Sequence, residues 1–372
     1  MVPPPVPPLP ASDAVRRAVE SCLADGSWAR YDPERTERVE KRLGEYLRAS
    51  HALLVQSGTL AVELALNAVG VQAGGLVAMP AYDYPGNFLS VHALGAKPLL
   101  VDVQPQSPQM SAESLKQALS GAQKAGNRVQ AVLVSHLYGG MAPVEEIGEI
   151  CRAYGVPWVE DACQCFGATY GGKKLGTYSD IGVFSFGGGK PLSVGRGGLL
   201  ISNSASLRQR SWLKVSRGSS LAAPSVLQLA ALEAQLENHA AEMAKRNENV
   251  SRLRDFLAEN RNLQLKLDQP RHPNRSQNHH FPIFYRIPLE IGPKIDRNEL
   301  LRRVWAQGIP LGEGFRALHS GRSSSRWQAF GSLEHAERIA RRFFLLDPGC
   351  FREWSIGEVG ARLQAASSEK TG

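Results

Sequence analysis

The fold is decided in the middle of the chain, where residues 158–190 read WVEDACQCFGATYGGKKLGTYSDIGVFSFGGGK. Two apolar runs in this stretch, Trp158–Val159 and Ile181–Phe186, are typical of short buried strands. The first run ends on two acids, and the second leads into three glycines and a lysine. Ligands of open α/β sheets bind at the carboxyl ends of such strands, so we expect a ligand site here.

Outward from this stretch, short apolar runs alternate with helical patterns. Five further runs predict strands, at Ala52–Val55, Leu76–Met79, Pro98–Val101, Ala131–Val134 and Gly198–Ile201. Helical patterns lie between many of them, at Leu60–Val69, Ala112–Leu119 and Val144–Tyr154. This alternation predicts an α/β domain whose mostly parallel, seven-stranded sheet is covered on both faces.

The chain is expected to fall into three parts. Residues 1–13 contain the proline-rich segment Val2–Pro10, which predicts a flexible, extended lead-in, with recruitment of a proline-reading module as the alternative. Residues 14–245 are assigned to the large domain, and residues 246–372 to a smaller C-terminal α+β domain.

Weaker patterns complete both domains. An amphipathic helical pattern covers Ala14–Leu47 with an interruption near residues 25–28, and a long helical stretch covers Pro224–Glu259. For the small domain we predict a strand, a helix, a turn and a second helix, at Phe281–Ile287, Arg297–Gln307, Gly308–Pro310 and Leu333–Phe343.

Composition and charge exclude several classes of protein. With 372 residues, of which 43% are hydrophobic and 21% charged, the chain is neither collagenous, coiled-coil nor wholly disordered. The net charge of +8 favours anionic partners, but the basic residues are dispersed and do not predict nucleic-acid binding. The five cysteines form no CxxC pair, so we expect neither a disulfide framework nor a metal site. No segment predicts a membrane helix or a signal peptide, and we expect a cytoplasmic protein.

Three features point to the chemistry of one cofactor. Lys190 follows a flexible glycine turn, and lysine is the side chain that forms a Schiff base with an aldehyde. If the aldehyde is pyridoxal phosphate, its ring nitrogen needs an acid partner, which Asp161 can supply. Ser57-Gly58-Thr59 lies between a predicted strand and a predicted helix, where exposed N–H groups and the helix dipole bind phosphate.

Each feature alone has an ordinary explanation. Asp161 also fits a capped strand end, Lys190 a surface turn, and Ser57 or Thr59 a helix N-cap. The GGGK string does not fit a nucleotide P-loop, because the earlier glycine of that motif is missing and Pro191 stands where Ser or Thr is required. The three features therefore have weight only in combination.

Six segments together resemble one family. In chain order they read SGTLAVELAL (57–66), MPAYDYPGNF (79–88), GAKPLLVDV (95–103), SHLYGG (135–140), EDACQCFGATYGGKKLGTYSDIGVFSF (160–186) and GKPLSVGRGG (189–198). In this order they resemble the DegT/DnrJ/EryC1/StrS family of pyridoxal-phosphate-dependent sugar aminotransferases. The resemblance implies the aspartate-aminotransferase-like fold, called fold type I.

The resemblance implies a role for each candidate site residue. Lys190 matches the Schiff-base lysine that also moves protons, and Asp161 matches the acid on the ring nitrogen. Gln164 matches the residue beside the cofactor's phenolic oxygen. Tyr84 matches the aromatic ring stacked on the pyridine, with core packing as its alternative. The positions that match the phosphate binders are Ser57, Gly58, Thr59 and Ser185.

Two histidines are candidates for the substrate region. His136 lies at a predicted strand end, where it is expected either to support the pocket or to contact the substrate. His319 resembles a position near the substrate entrance, with a structural role as the alternative.

Three departures from the family pattern predict a different substrate or weaker cofactor binding. Arg196 stands where the family commonly has an acid. Leu221–Pro224 stands where the family has an asparagine that reaches the phosphate of the partner subunit's cofactor, and a serine at 219 or 220 is the candidate substitute. Asp83 and Pro85-Gly86 replace the threonine pair around the stacking aromatic ring.

The resemblance implies a homodimeric enzyme. It would transfer an amino group from L-glutamate or L-glutamine to a keto-sugar, nucleotide-linked in the favoured case, or to a cyclitol. Two alternatives stay open: an aminotransferase-like dehydratase of the aminohydroxybenzoate-synthase type, and a cofactor-binding regulator with little turnover. Asn278–His280 and Arg316 are candidate acceptor contacts, with a place on the surface outside the site as the alternative for each.

Overall fold

The structure of the chain is a computed structural model that describes residues 4–5, 10–216, 222–267, 280–293 and 295–368. Most of the proline-rich segment, both serines at 219 and 220, Leu221 and the pair Asn278-His279 lie outside the described residues. The predictions that rest on those residues stay predictions.

The central sheet has seven strands. In chain order they are β1 (His51–Val55), β2 (Leu76–Pro80), β3 (Lys97–Val101), β4 (Val129–Ser135), β5 (Trp158–Asp161), β8 (Ile181–Ser185) and β9 (Gly198–Ser202). A short hairpin, β6 (Thr169–Tyr170) and β7 (Lys173–Lys174), lies between β5 and β8 along the chain. The spatial order is β1-β9-β8-β5-β4-β2-β3. Strand β9 runs antiparallel to β1 and β8, and the other neighbouring pairs are parallel, which confirms the predicted sheet.

Helices connect and cover these strands. Up to residue 259 they are α1 (Asp13–Ala24), α2 (Pro33–Leu47), α3 (Gly58–Ala68), α4 (Pro85–Ala93), α5 (Ala112–Lys124), α6 (Val144–Tyr154), α7 (Ala205–Val215), α8 (Val226–Leu236) and α9 (His239–Glu259). Local chemistry sets their starts: Asp32 accepts a hydrogen bond from the Arg35 N–H, and Pro33 occupies the first helical position of α2.

Both faces of the sheet are buried, because side chains alternate along each strand. On β1, Leu54 packs into the core beneath α2 and α5, whereas Leu53 and Val55 pack into the core beneath α3 and α4. On β2, Ala78 and Val77 divide between the two cores in the same way. This layering confirms the predicted α/β class.

A second, smaller sheet follows the large domain. Its strands are β10 (Leu265–Leu267), β11 (Ile287–Ile291), β12 (Leu311–Gly312) and β13 (Phe343–Leu346), and its helices are α10 (Arg297–Ala306), α11 (Glu334–Arg342) and α12 (Ile356–Ser368). The strands are antiparallel in the order β10-β11-β13-β12. The α+β character predicted for this region is confirmed.

The strand predicted at Phe281–Ile287 is misplaced, since β11 begins where that prediction ends. Apart from Ile287, only Phe281 pairs within the predicted range, and its partner is Thr169 of the large-domain hairpin. Ile283, in the middle of the predicted range, packs into the core of the large sheet. Packing between the domains therefore overrides the local strand pattern.

The helical stretch predicted at Pro224–Glu259 is two helices, α8 and α9. The break lies at Glu237-Asn238, and the buried His239 that follows places its Nε2 3.0 Å from the carbonyl oxygen of Phe166. Helix α9 then packs Met243 into the large core and Leu253 into the small core. The domain boundary predicted at residue 246 falls between these two contacts, and it stays a prediction.

No helix in the described part of the chain is both long and apolar enough to cross a membrane.

Candidate active site

A cavity of about 310 Å³ opens at the carboxyl edge of the central sheet. It is lined by nine of the predicted site residues, namely Ser57, Gly58, Thr59, Tyr84, His136, Asp161, Gln164, Ser185 and Lys190. They come from separate segments that the parallel strands bring to one edge. His319 is not among the lining residues: its Nε2 lies 3.0 Å from Glu337, and its ring packs on Trp327. A role for His319 at the substrate entrance stays a prediction.

The two acids that end β5 face opposite directions. Glu160 is fully buried on one side of the strand, where it accepts hydrogen bonds from the backbone N–H groups of Gly176, Tyr178 and Ser179. Asp161 lies on the other side and lines the cavity. The side-chain alternation of a strand thus separates a structural carboxylate from one that can meet a ligand.

His136 connects this structural carboxylate to the loop after β4. Its Nδ1 accepts from the Ala142 N–H at 3.1 Å, so the ring hydrogen is on Nε2, which donates to Glu160 Oε1 at 3.1 Å. Burial alone would raise the pKa of Glu160, but the hydrogen bonds from His136 and the backbone outweigh it and hold that pKa below its ordinary value. Both nitrogens of His136 are occupied, which favours its supporting role.

We predict that Glu160→Gln lowers the free energy of unfolding at pH 7 by about 1–3 kcal/mol, because the new NH₂ group faces backbone donors. The lowered pKa means that the stabilisation by Glu160 is complete above about pH 4.5 and is lost as the pH falls through the folded-state value. Urea unfolding from pH 3 to pH 7 measures both effects. Glu113→Gln, on an exposed face of α5, is the control. Equal unfolding free energies of the wild type and Glu160→Gln at pH 7 would contradict this role.

Asp161 is held by two hydrogen bonds before any ligand is considered. Its Oδ1 accepts from the Cys163 N–H at 3.0 Å, and its Oδ2 accepts from the Asn87 Nδ2 at 2.7 Å. Asn87 belongs to α4, so the helix after β2 orients a carboxylate on β5. The carboxylate is thereby fixed with one side facing the cavity.

Hydrogen-bond donors suited to an anion line the cavity where β1 leads into α3. Ser57 caps α3 by accepting from the Leu60 N–H at 3.1 Å, which leaves its own hydroxyl hydrogen free to donate. The N–H groups of the first turn of α3 and the helix dipole also favour an anion. Ser185 accepts from the Gly187 N–H at 3.2 Å and can likewise donate its hydroxyl hydrogen.

Gly58 is required by the close approach of the neighbouring strand. A Cβ at this position would lie 2.8 Å from the Ser185 Cβ and 2.9 Å from the Cys163 Sγ. Both neighbours line the same cavity. A side chain at residue 58 would therefore displace the groups that surround the anion site.

We predict that Gly58→Ala weakens binding of pyridoxal phosphate by about 10- to 100-fold, which corresponds to an overpacking cost of about 1–3 kcal/mol. Equilibrium dialysis of the cofactor against the apo-protein measures the dissociation constant. Gly357→Ala, at an exposed position in α12, is the matched control. Unchanged affinity of Gly58→Ala would place the anion site elsewhere.

Lys190 reaches the cavity from the turn between β8 and β9. Its Nζ lies 4.0 Å from the centre of the Tyr285 ring, a cation–π contact with a residue from beyond α9. The contact holds the amine toward the cavity. Tyr285 also lines the cavity, so the C-terminal half of the chain completes the site.

Tyr84 and Gln164 both line the cavity, and each has a partner within the protein. The Tyr84 ring is 45% exposed, and it packs against Phe315 with ring centres 5.9 Å apart. The Gln164 Oε1 accepts from the Tyr138 N–H at 3.1 Å, so the NH₂ group of this amide is the part available to donate into the cavity.

Two of the three departures from the family pattern lie at or next to the cavity. Arg196 is exposed and lines the cavity, and its carbonyl oxygen accepts from Gln228 at 2.7 Å. Asp83 is fully buried behind Asp161 and hydrogen-bonds to Asn87. Arg196 therefore places a positive charge at the rim of the cavity, whereas Asp83 places a second carboxyl group behind Asp161.

Sequence reasoning missed three residues of the site, namely Asn87, Cys163 and Tyr285. Asn87 stands in one of the family-like segments, and its available signal was a polar residue in the first turn of a helix that follows a strand end. Cys163 lies between two predicted site residues, but a buried thiol has no local signature. Tyr285 comes from a distant segment, and only the tertiary fold brings it near Lys190.

Comparison with known proteins gives consistent matches. The chain is 31% identical over 189 residues to a GDP-perosamine synthase of Vibrio cholerae, and this match covers 51% of the chain but only 50% of that enzyme. It is 29% identical over 380 residues to an L-glutamine:2-deoxy-scyllo-inosose aminotransferase of Streptoalloteichus tenebrarius, covering 94% and 87% of the two chains. It is 28% identical over 346 residues to a 3-amino-5-hydroxybenzoate synthase of Amycolatopsis mediterranei, covering 89% and 86%.

Structure and family agree with these sequence matches. A DegT/DnrJ/EryC1/StrS aminotransferase structure from Brucella abortus superposes with a TM-score of 0.84 at 25% identity and covers 96% of each chain. The model of the DegT/DnrJ/EryC1/StrS aminotransferase family matches residues 11–349. With nearly the whole described fold inside that match, the chain belongs to the DegT/DnrJ/EryC1/StrS aminotransferase family, which depends on pyridoxal phosphate.

Proposed function

We propose that this protein is an aminotransferase that moves an amino group from L-glutamate or L-glutamine to a keto-sugar, nucleotide-linked in the favoured case, or to a cyclitol. One observation carries the proposal: Lys190, Asp161 and the first turn of α3 surround a single cavity. An amine, a carboxylate and an anion site match the aldehyde, the ring nitrogen and the phosphate of pyridoxal phosphate.

The cavity suits this cofactor in size and in donor set. A volume of about 310 Å³ lies within the usual range for small-molecule sites, and the missing side chain at Gly58 leaves room beside the anion site. When bound, pyridoxal phosphate supplies an aldehyde that condenses with amines and a ring that accepts an electron pair.

Different residues around the cavity would bind and orient different parts of pyridoxal phosphate. Ser57, Thr59 and Ser185 would hold the phosphate together with the N–H groups of α3. Asp161 would accept a hydrogen bond from the ring nitrogen and keep it protonated. Gln164 would donate to the ring oxygen, and the Tyr84 ring would cover one face of the pyridine.

Lys190 would hold the aldehyde between turnovers and act as the base once the donor amine displaces it. Its Nζ would take the proton from the α-carbon of the donor and return a proton when the acceptor carbon is aminated. The cation–π contact with Tyr285 would keep the released amine near the cavity. These roles together support amino transfer in two half-reactions, the first with the amino donor and the second with the acceptor.

The position of Arg196 supports the proposal that the amino acceptor carries an anionic group. It lines the cavity and also a neighbouring groove of about 1230 Å³, in which the rings of Trp28 and Trp212 lie near Arg30 and Arg208. Aromatic faces and guanidinium groups bind bases and phosphates respectively. This groove favours a nucleotide-linked sugar over a free cyclitol.

The test follows a labelled nitrogen. The holoenzyme is incubated with L-glutamate or L-glutamine labelled with ¹⁵N at the α-amino group, and then with a nucleotide-linked keto-sugar or with an inosose. We expect one donor to change the visible absorption of the bound cofactor and one acceptor to gain the label, read by mass spectrometry. A labelled amine on no acceptor, with loss of water from the sugar instead, would contradict the proposal.

That contradicting result would favour a dehydratase. The 3-amino-5-hydroxybenzoate synthase relative is the observation that keeps this second candidate, because its match covers most of both chains. A protein that binds pyridoxal phosphate, but neither transfers an amino group nor removes water from a substrate, would instead fit the hypothesis of a cofactor-binding regulator.

We also infer that the protein works as a homodimer, as its family resemblance implies. Tyr31 is 91% exposed beside the groove, and Leu23 and Leu213 are also more than half exposed. A second copy of the chain is the partner that would cover such residues. Sedimentation equilibrium at micromolar concentration measures the mass, and a monomer throughout would overturn this inference.

A further inference from the structure

A second buried carboxyl group, Asp83, lies beside Asp161 and has no part in the proposed chemistry. It follows β2 in the segment that leads into α4, and its side chain is fully buried. It is not among the residues that line the cavity. Asp83 therefore lies behind the site rather than in it.

One amide joins the two carboxyl groups. Asn87 Nδ2 lies 2.7 Å from Asp161 Oδ2 and 3.0 Å from Asp83 Oδ2. Carboxylate oxygens accept hydrogen bonds, so the two N–H bonds of Asn87 point at them. We call Asp83, Asn87, Ser135 and Asp161 the carboxyl cluster.

Ser135 allows the carboxyl cluster to hold a proton or to release it. Its Oγ lies 2.9 Å from Asp83 Oδ2, at the end of β4 beside Asp161. A hydroxyl group donates to an ionised carboxylate and accepts from a protonated one. Asp83 Oδ1 meanwhile accepts from the Tyr84 N–H at 2.7 Å in either state.

Burial and the charge of Asp161 together determine whether Asp83 is protonated. Burial, and next the negative charge of Asp161, raise the pKa of Asp83 to about 7, against the lowering effect of its hydrogen bonds. Two ionised carboxylates bridged by one amide repel each other in a dry interior. Asp83 is therefore the member of the pair that carries a proton at mildly acidic pH.

Two titratable neighbours of the carboxyl cluster, Tyr138 and Cys163, stay neutral in this range. Tyr138, on the loop after β4, faces Asp83, and burial is the main reason why the pKa of its phenol is well above the ordinary value. Cys163, on the loop after β5, faces Asp161, and burial followed by the charge of Asp161 raises the pKa of its thiol in the same way. His136 and Lys190, which line the cavity, are present in both the wild type and Asp83→Asn, so the difference between these two proteins isolates the contribution of Asp83.

We propose that Asp83 is a positioning residue for the cofactor: through Asn87 and Ser135 it orients the Asp161 carboxylate, and its own proton sets the charge behind the ring nitrogen. The inference rests on the proposed site, in which Asp161 meets that nitrogen. A protonated Asp83 leaves Asp161 as the single negative charge there. An ionised Asp83 adds a second one and strengthens the hold of the ring nitrogen on its proton.

The first test reads the ring nitrogen directly. Holoenzyme is prepared with pyridoxal phosphate labelled with ¹⁵N in the ring, and the ¹⁵N chemical shift is recorded from pH 5.5 to pH 9. We expect a pH-dependent step in the wild type that is absent from Asp83→Asn. Ser90→Ala, which lies on α4 but hydrogen-bonds to Glu63 outside the cavity, keeps the step. Superimposable profiles for the wild type and Asp83→Asn would overturn the proposal.

The second test needs no cofactor. Because the pKa of Asp83 is higher in the folded protein than in the unfolded chain, its stabilising effect is complete below about pH 4 and is lost as the pH rises through about 7. The melting temperature of the wild-type apo-protein should therefore fall relative to that of Asp83→Asn over this range. Glu40, whose pKa burial also raises to about 7, is present in both proteins and cancels in the difference. A difference that does not vary with pH would contradict the proposal.

Two further variants separate the possible failures. Asp161→Asn must alter the ring-nitrogen shift if the proposed site is right, so an unchanged shift in that variant would overturn the site itself. A changed shift in Asp161→Asn, together with wild-type behaviour in Asp83→Asn, would overturn the role of Asp83 alone. Should Asp83→Asn fail to fold, Asp83→Thr, which has the residue type of the related family, is expected to lack the step as well.

Discussion

Lys190→Ala is expected to lose the visible absorption band of the bound cofactor and to lower the rate of amino transfer by about 10⁴-fold. The substitution removes the amine that holds the aldehyde and the base that moves the proton. The structure gives no substitute in the cavity, since among its described lining residues Arg196 is the other cation and it lies at the rim. Absorption spectra and single-turnover kinetics with the donor measure the two losses separately.

Lys173→Ala is the matched control for this prediction. Lys173 is an exposed lysine on the hairpin between β5 and β8, where its Nζ lies over the Tyr178 ring at 4.4 Å. This variant should retain the band and the rate. A Lys190→Ala protein that still showed the band and turned over would mean that another amine binds the cofactor.

Asp161→Asn is expected to lower the rate of the donor half-reaction by roughly 10²–10⁴-fold while the protein stays folded. The new amide can still accept from the Cys163 N–H, but its NH₂ group faces the NH₂ group of Asn87 and the ring nitrogen. The ring nitrogen then loses its proton and the ring becomes a poor electron acceptor. Stopped-flow measurement of the half-reaction at saturating cofactor checks the effect.

Asp180→Asn serves as the comparison, because that carboxylate lies at the opposite end of the same strands. It accepts from the Trp158 N–H at 2.9 Å, at the start of β5, and its residue is exposed. Its loss should leave the half-reaction unchanged. Equal rates in the wild type and Asp161→Asn would show that the ring nitrogen does not meet Asp161.

The large domain was predictable because its signals are local. Each strand of the central sheet is a short apolar run, and each run is bounded by turn residues that the sequence displays. The two acids after Val159 end β5, and Lys190 lies in the turn that follows β8, so the parallel pairing of these two strands brings Asp161 and Lys190 to one edge. Family resemblance then implied roles for several other lining residues of that edge.

The rest depends on contacts between distant segments. Phe281 pairs with Thr169 instead of extending β11, and no pattern near residue 281 encodes that partner. The amide link from Asn87 to Asp161 joins residues 74 positions apart. At the break between α8 and α9, the buried His239 ring contacts the carbonyl oxygen of Phe166, a residue 73 positions away along the chain.

Helix α9 couples the unfolding of the two hydrophobic cores. It contributes Met243 to the core of the large sheet and Val250, Leu253 and Leu257 to the core of the small one. Helical hydrogen bonds form cooperatively, so neither half of α9 is stable without packing from both sides. Unfolding of the small core would therefore expose part of the large core. The unfolding free energies of the two domains are then not independent.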